Sequence, residues 1–233
     1  MEMENEVLSQ ENANNSAARK FMTKVYAWMT AALVITAVSA WLPMIYEPLT
    51  RLIFGTQYMF FVLIIAELAL VIVLSRAIHK LSPAAACICF IIYSVINGLT
   101  LSSIFITYKI SSIYFVFFIT AGMFFGMTIY GIFTKRDLTS AGRYLMMALI
   151  GIIIASLVNI FIKSQPIDWL ISVIAVGVFV GLTAYDTQKL LQTAQYSDDS
   201  EAYKKVAIIG ALELYLDFIN LFLKLLRLFG KRK

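Results

Sequence analysis

Seven long apolar stretches alternate with short polar connections along this chain. They lie at about residues 25–46, 57–75, 82–106, 112–133, 143–163, 168–192 and 206–228. Each stretch has the roughly 20 residues that an α-helix needs to cross the hydrocarbon core of a bilayer. Residues 1–20 are polar, and we predict a mobile tail there, followed by a transmembrane domain over residues 21–233. The pattern predicts an all-α polytopic membrane protein, a bundle of seven transmembrane helices.

The seventh stretch carries a polar seam. Its sequence, LELYLDFINLFLKLLRL from Leu212 to Leu228, places five polar side chains within roughly 80° of one another on a helix that turns ~100° per residue. A charge at the middle of the bilayer costs on the order of 3 kcal/mol or more, so this face must avoid lipid. We therefore predict that helix 7 is central and that the other six surround it. The seam consists of Glu213, Asp217, Asn220, Lys224 and Arg227.

The composition supports a membrane protein and excludes several functional classes. The chain is 61% hydrophobic and 14% charged, whereas a soluble domain is nearer half apolar and about a quarter charged. Long unbroken apolar runs argue against a β-barrel, and the net charge of +5 lies in loops and tail rather than on a nucleic-acid surface. The sequence contains no HExxH or GxSxG motif and a single histidine, His79. We predict neither an enzyme nor a bound cofactor.

Lysine and arginine residues alternate between the two sides of the predicted bundle. From the N-terminus onward, the segments that flank the helices contain 3, 1, 2, 1, 3, 1 and 3 basic residues. Because basic loops remain in the cytoplasm, this count predicts a cytoplasmic N-terminus. The basic end, Arg227 to Lys233, breaks the alternation. Either helix 7 crosses fully against the charge rule, or it re-enters and the tail is cytoplasmic.

Two aspartates inside the predicted spans are the strongest functional leads, because an ionisable group at this depth is costly. Asp186 lies near the cytoplasmic end of helix 6, and Asp217 lies about 12 residues into helix 7. The two can meet near the cytoplasmic mouth, where carboxyls at hydrogen-bond distance in a low dielectric would share a proton. The spacing is equally compatible with two aspartates that are satisfied separately by neighbouring polar groups.

Helix 2 adds Glu67 near its middle and Arg76 at its cytoplasmic end. These residues are nine apart, about 14 Å along a helix and on different faces, so we expect them to have different partners. Arg76 can pair with Asp186 or extend to lipid headgroups, whereas Glu67 lies deeper in the interior. In helix 6, Gly177 and Gly181 form a GxxxG pair that allows another helix to approach closely.

Two long motifs resemble the signatures of the Bax inhibitor-1 (transmembrane Bax inhibitor motif) family. They are GLTAYDTQKL at Gly181–Leu190 and LYLDFINLFLKLLRLFG at Leu214–Gly230. INGLTLSSIF at Ile96–Phe105 is similar too, as is a second helix-packing pair, Gly122 and Gly126, which TKRDLTSAG follows. The resemblance covers essentially the whole chain after residue 20. The short acidic tail points to a bacterial member in the cytoplasmic (inner) membrane.

The resemblance implies a calcium-leak channel that pH regulates through a di-aspartyl sensor. The matching positions are Asp186 and Asp217. The family also has an acidic residue in helix 2, which Glu67 matches, and an arginine at the cytoplasmic end of that helix. Arg76 is the nearest candidate for this arginine, and Lys80 is a substitute.

Calcium as the permeant ion requires oxygen ligands, of which it prefers six to eight. We predict that Asp186 and Asp217 contact the ion and that Glu67, Glu213 and Asn220 line its route. The expected partners are the lipid bilayer, Ca²⁺ and H⁺. A protonated aspartate pair would hold helices 6 and 7 together, and loss of the proton would favour a second packing.

Two other functions would use the same residues. The first is a regulatory membrane protein that binds and restrains a membrane protease or another membrane partner, with any conduction incidental. The second is a proton-coupled transporter, which would require a cargo. An intramembrane aspartyl protease is disfavoured, because no glycines open helix 7 before Asp217.

Overall fold

The computed structural model describes residues 2–56, 58–76, 80–194 and 201–233, and it describes side chains from residue 16 onward except at 201–202. His79 lies outside the described residues. Within them the backbone forms nine α-helices and no strand. The helices are α1 (Glu2–Ile45), α2 (Glu47–Phe54), α3 (Met59–Arg76), α4 (Pro83–Leu101), α5 (Ser103–Thr107), α6 (Ile110–Phe133), α7 (Thr139–Ile162), α8 (Gln165–Ala194) and α9 (Glu201–Phe229).

Seven helical segments are long and apolar enough to cross a membrane, which confirms the predicted fold class. They are Ser16–Ile45, Met59–Arg76, Pro83–Thr107, Ile110–Phe133, Thr139–Ile162, Gln165–Ala194 and Tyr203–Phe229. The first of these segments belongs to α1, which begins at Glu2, well before the predicted start at residue 25, and continues without a break to Ile45. The predicted tail thus has a helical backbone, and its mobility stays a prediction. The short helix α2, which we did not predict, connects the first two spans.

The chain forms two compact units. The first comprises residues 1–106 and 192–212, and the second comprises residues 107–191 and 213–233. In the first unit α1 packs closely on α4. The Thr36 hydroxyl donates to the carbonyl of Ser94 at 3.0 Å, and a Cβ added to Gly98 would lie 2.6 Å from Cβ of Ser39.

In the second unit two glycines bring α6 and α7 close to α8. A Cβ added to Gly131 of α6 would lie 2.5 Å from the carbonyl oxygen of Ala184. A Cβ added to Gly142 of α7 would overlap the ring of Tyr185. Since Ala184 and Tyr185 precede Asp186 directly, these two contacts fix the turn of α8 that carries the predicted sensor.

Gln188 fixes the loop between α6 and α7 to the same turn. Its Oε1 accepts from the backbone N–H of Leu138 at 2.8 Å, and its Nε2 donates to the carbonyl of Arg136 at 2.9 Å. Both polar ends of this buried amide are therefore satisfied by the loop backbone. The arrangement holds the end of α8 against the loop without using a charge.

The close approach at Gly131 leads to a first prediction. We expect Gly131→Ala to lower the free energy of unfolding by about 1–3 kcal/mol, because the new methyl group meets backbone that cannot move aside. Thermal unfolding of the purified protein in detergent measures this effect. The matched control is Gly126→Ala on the same helix, where an added Cβ meets nothing described within 4 Å. Equal destabilisation by the two substitutions would contradict the close contact.

Helix α9 is the most buried of the seven spans. Within its apolar window 67% of the residues are buried, compared with 6–44% in the other six. This confirms the expectation that the polar seam belongs to an interior helix. α9 is also one continuous helix of 29 residues, and this favours a complete crossing over re-entry.

Candidate functional site

Asp186 on α8 and Asp217 on α9 lie side by side in the second unit. Both side chains line the same cavity, and the two carboxyl groups are close enough to interact. Asp217 is 5% exposed, and among the described residues its buried Oδ2 atom has no hydrogen-bond partner. A proton held between the two carboxyls would supply the missing donor. The juxtaposition that the sequence left open is thus present in the structure.

An ion pair that the sequence analysis did not predict lies beside these carboxyls. Nζ of Lys189 donates to both carboxylate oxygens of Glu213, at 3.0 and 3.1 Å. Lys189 follows Asp186 by one turn of α8, and Glu213 precedes Asp217 by one turn of α9. Lys189 and Glu213 are also charged neighbours of Asp186. Three carboxyls and one ammonium group therefore share one patch of the α8–α9 contact.

These groups open into a cavity of about 520 Å³ between α7, α8 and α9. The α7 wall is formed by apolar side chains and Ser156. The opposite wall contains four of the five seam residues, together with apolar side chains such as Phe179, Leu182 and Leu216. Its ionisable and amide side chains are Asp186, Lys189, Glu213, Asp217, Asn220 and Lys224. The volume lies within the range of about 300–1,000 Å³ that is typical of ligand sites.

Two seam residues continue the polar wall away from the aspartates. Nδ2 of Asn220 donates to the carbonyl of Leu216 at 2.8 Å, so the amide oxygen is available to the cavity. Lys224 lines the far end of the cavity. The last seam residue, Arg227, forms an ion pair with Asp168 at the start of α8. Each seam residue therefore either has a described polar partner or lines the cavity.

Glu67 occupies a separate polar cluster in the first unit. Its Oε2 accepts from Nδ2 of Asn97 at 3.3 Å, and the Thr100 hydroxyl, which donates to the carbonyl of Ile96 at 3.2 Å, lies nearby. The buried Oε1 atom has no partner among the described residues. Glu67 thus lies at a contact between α3 and α4, and its predicted role in an ion pathway stays a prediction.

Arg76 is exposed at the last position of α3 and belongs to the first unit, whereas Asp186 belongs to the second. The expectation that Arg76 and Glu67 have different partners stays a prediction. The pairing of Arg76 with Asp186 stays a prediction.

The four glycines that we predicted to pack against another helix differ in their surroundings. A Cβ added to Gly181 would lie 2.8 Å from Cδ1 of Leu145, so this glycine does allow close approach of α7. At Gly122, Gly126 and Gly177 an added Cβ meets nothing within 4 Å among the described residues. No close approach of another helix is therefore seen at these three positions among the described residues, and their predicted role in helix packing stays a prediction.

Comparison with known proteins agrees with the sequence motifs. A family model described as "Inhibitor of apoptosis-promoting Bax1" matches residues 18–233. The inner membrane protein YbhL of Escherichia coli K12 is 52% identical over 215 residues, which cover 91% of this chain and 92% of the relative. An uncharacterized protein of Borreliella burgdorferi is 44% identical over 227 residues, 97% of this chain and 98% of the relative.

A third relative, protein RP147 of Rickettsia prowazekii, is 38% identical over 225 residues, 97% of this chain and 95% of the relative. These matches extend over nearly the full length of the chain and of each relative. They confirm the resemblance seen in the two long motifs. The chain is an integral membrane protein and belongs to the Bax inhibitor-1 family.

Proposed function

We propose that this protein is a calcium-leak channel whose conductance depends on pH through the Asp186–Asp217 pair. The observation that carries the proposal is this pair of carboxyls in the wall of a cavity between helices that are long enough to span the membrane. One of the carboxyl oxygens, Oδ2 of Asp217, is buried and lacks a described partner. Buried ionisable groups inside a span are costly, and they are typical of ion and proton pathways.

The cavity supplies the type of ligand that calcium prefers. Carboxylate oxygens of Asp186, Asp217 and Glu213 and the amide oxygen of Asn220 line one continuous wall. Hard oxygens of this kind, together with water, bind Ca²⁺. Among the described residues no three acidic side chains converge closely enough to hold a metal ion together, so these four residues would contact the ion in turn along the wall, while the apolar α7 wall limits the water around it.

The proposed switch is the proton between the two aspartates. With the proton bound, one carboxyl donates to the other, and the hydrogen bond holds α8 against α9. Without it, two negative charges repel each other across the contact, and a second arrangement of the helices gains population. Lys189 and, in the proposal, Arg76 provide the positive charge that limits this repulsion.

A bacterial cytoplasmic membrane is the proposed location. The name of the Escherichia coli relative places that protein in the inner membrane. The alternation of basic residues between loops supports an N-terminus in the cytoplasm. Calcium would then flow down its gradient toward the cytoplasm.

The second prediction concerns conduction itself. We expect purified protein in liposomes to release or admit calcium faster than empty vesicles, at a rate that changes between pH 6 and pH 8. A calcium-sensitive dye inside the vesicles measures the rate. Flux no greater than that of empty vesicles at every pH would contradict the channel. That result would favour the regulatory protein that binds a membrane partner.

A further inference from the structure

The last residues of the chain form a fixed clasp beside the start of α6. The backbone N–H of Lys109 donates to the carbonyl of Lys231 at 2.9 Å, and that of Lys233 donates to the carbonyl of Thr107 at 3.0 Å. The backbone N–H of Lys231 donates to Oγ of Ser112 at 2.9 Å. These bonds place residues 230–233 antiparallel to residues 107–109.

The clasp concentrates positive charge. Four basic side chains project from its two short segments, and all four are exposed. They are Lys109, Lys231, Arg232 and Lys233. Nearby Asp168 is already paired with Arg227. Because the backbone hydrogen bonds fix the tail, these charges are held in place and an anion need not order a free chain end.

A cavity of about 300 Å³ lies at the base of the clasp. It is lined by Ser111, Ser112, Phe115, Phe229 and Lys231. Ser112 is 8% exposed, and since its oxygen accepts from the backbone of Lys231, its hydroxyl hydrogen can be donated into the cavity. Two hydroxyls and an ammonium group are suitable donors for a phosphate.

The same cavity has an apolar side that faces the membrane. Phe115 is 63% exposed and Phe229 is 60% exposed. α6 begins at Ile110 and α9 ends at Phe229, so the cavity lies at the level where two spans reach the membrane surface. A freely soluble anion would leave these rings uncovered, whereas the upper part of an acyl chain would cover them.

We propose that the clasp binds the headgroup of an anionic phospholipid in the leaflet at which α6 begins. The lipid phosphate would accept from Lys231 and from the Ser111 and Ser112 hydroxyls, and its acyl chains would lie along Phe115 and Phe229. This site is separate from the aspartate pair and does not depend on calcium conduction. The lipid phosphate would also provide a negative charge beside the basic end of α9. The positive-inside rule disfavours basic residues on the membrane surface that this end reaches if α9 crosses fully.

The third prediction tests this site with the full-length protein. Native mass spectrometry of the detergent-solubilised protein, titrated with phosphatidylglycerol or phosphatidylcholine, measures the affinity for each lipid. We expect tighter binding of phosphatidylglycerol. The double substitution Lys231→Met and Arg232→Met should weaken it by roughly thirtyfold, since two charges near a membrane surface are removed. Ser112→Ala should weaken it less, because this substitution removes one hydrogen-bond donor to the phosphate and no charge.

The matched control removes two cations at the opposite end of α6. Lys135 and Arg136 are exposed and lie beyond Phe133, about 36 Å from the clasp along the helix. Lys135→Met with Arg136→Met should leave phosphatidylglycerol binding at the wild-type value. Equal affinity of the wild type for both lipids, or an equal loss in the control, would overturn the proposal. Displacement of phosphatidylglycerol by excess inorganic phosphate would assign the clasp to soluble anions instead.

Discussion

Replacing either aspartate of the pair by asparagine is expected to abolish the pH dependence of calcium flux. Asparagine has nearly the same shape as aspartate but does not titrate, so neither Asp186→Asn nor Asp217→Asn leaves two carboxyls to share a proton. In the wild type, the ratio of protonated to ionised pairs changes about tenfold per pH unit around the midpoint. In each variant this equilibrium is absent, and the flux should be constant across the same pH range. Dye-loaded liposomes at a series of pH values measure it.

An aspartate outside the cavity provides the control for this experiment. Asp137 lies in the loop between α6 and α7, and hydrogen bonds from Thr139, including one from its backbone N–H at 2.9 Å, lower the pKa of Asp137. Asp137 is therefore ionised throughout the measured range, and Asp137→Asn should retain the wild-type pH response. If both pair variants still respond to pH as the wild type does, the aspartates are not the sensor. If Asp137→Asn also loses the response, the loss in the pair variants would reflect a general defect of the vesicles and not the removal of the sensor.

The helices could be predicted from sequence because each span satisfies a local requirement. A run of roughly 20 apolar residues is sufficient to identify a crossing, whatever lies next to it. The interior position of α9 was predictable for a similar reason, since its charges follow the helical period. The short helix α2 was missed because Glu47–Phe54 is amphipathic and too short to cross the membrane. Its periodicity was hidden between two much longer apolar runs.

Contacts between helices were less predictable, because they depend on how each helix is rotated about its axis. GxxxG spacing indicated Gly177 and Gly181 equally, yet Gly181 alone of this pair faces a described neighbour within 4 Å. Gly131 and Gly142, which do contact α8, carry no such motif. Spacing along the helices predicted the Asp186–Asp217 contact as one of two alternatives. The other was that neighbouring polar groups satisfy each aspartate separately. The Lys189–Glu213 pair was not predicted, because Lys189 lies near the end of the sixth apolar stretch, where a basic residue contributes to the charge count of the following loop.

Substitutions at the Lys189–Glu213 pair are expected to shift the pH at which calcium flux changes. The two single substitutions should shift it in opposite directions. Both residues are charged neighbours of the aspartates. A nearby positive charge favours ionised carboxyls, and a nearby negative charge disfavours them. Lys189→Met removes the positive charge, so the aspartates keep their shared proton to a higher pH. Glu213→Gln removes a negative charge and releases Lys189 from its ion pair, so the proton is lost at a lower pH.

The expected size follows from Coulomb's law. Two unit charges about 7 Å apart interact by roughly 2 kcal/mol at an effective dielectric constant of 20, and one pH unit corresponds to about 1.4 kcal/mol. Each single substitution should therefore move the midpoint of the flux–pH curve by roughly 1.5 units. The double variant Lys189→Met with Glu213→Gln removes both charges, and its midpoint should return close to that of the wild type.

The wild type, the two single variants and the double variant should be compared by the midpoint of the flux–pH curve rather than by the flux rate. A pair that merely holds α8 against α9 would change the rate or the stability in every variant, but it would not move the midpoint in opposite directions. Shifts of the same sign in both single variants, or no shift in either, would contradict the electrostatic role of the pair. Opposite shifts that cancel in the double variant would show that the aspartates titrate in the field of Lys189 and Glu213, because two charges of opposite sign on adjacent turns act on the same shared proton.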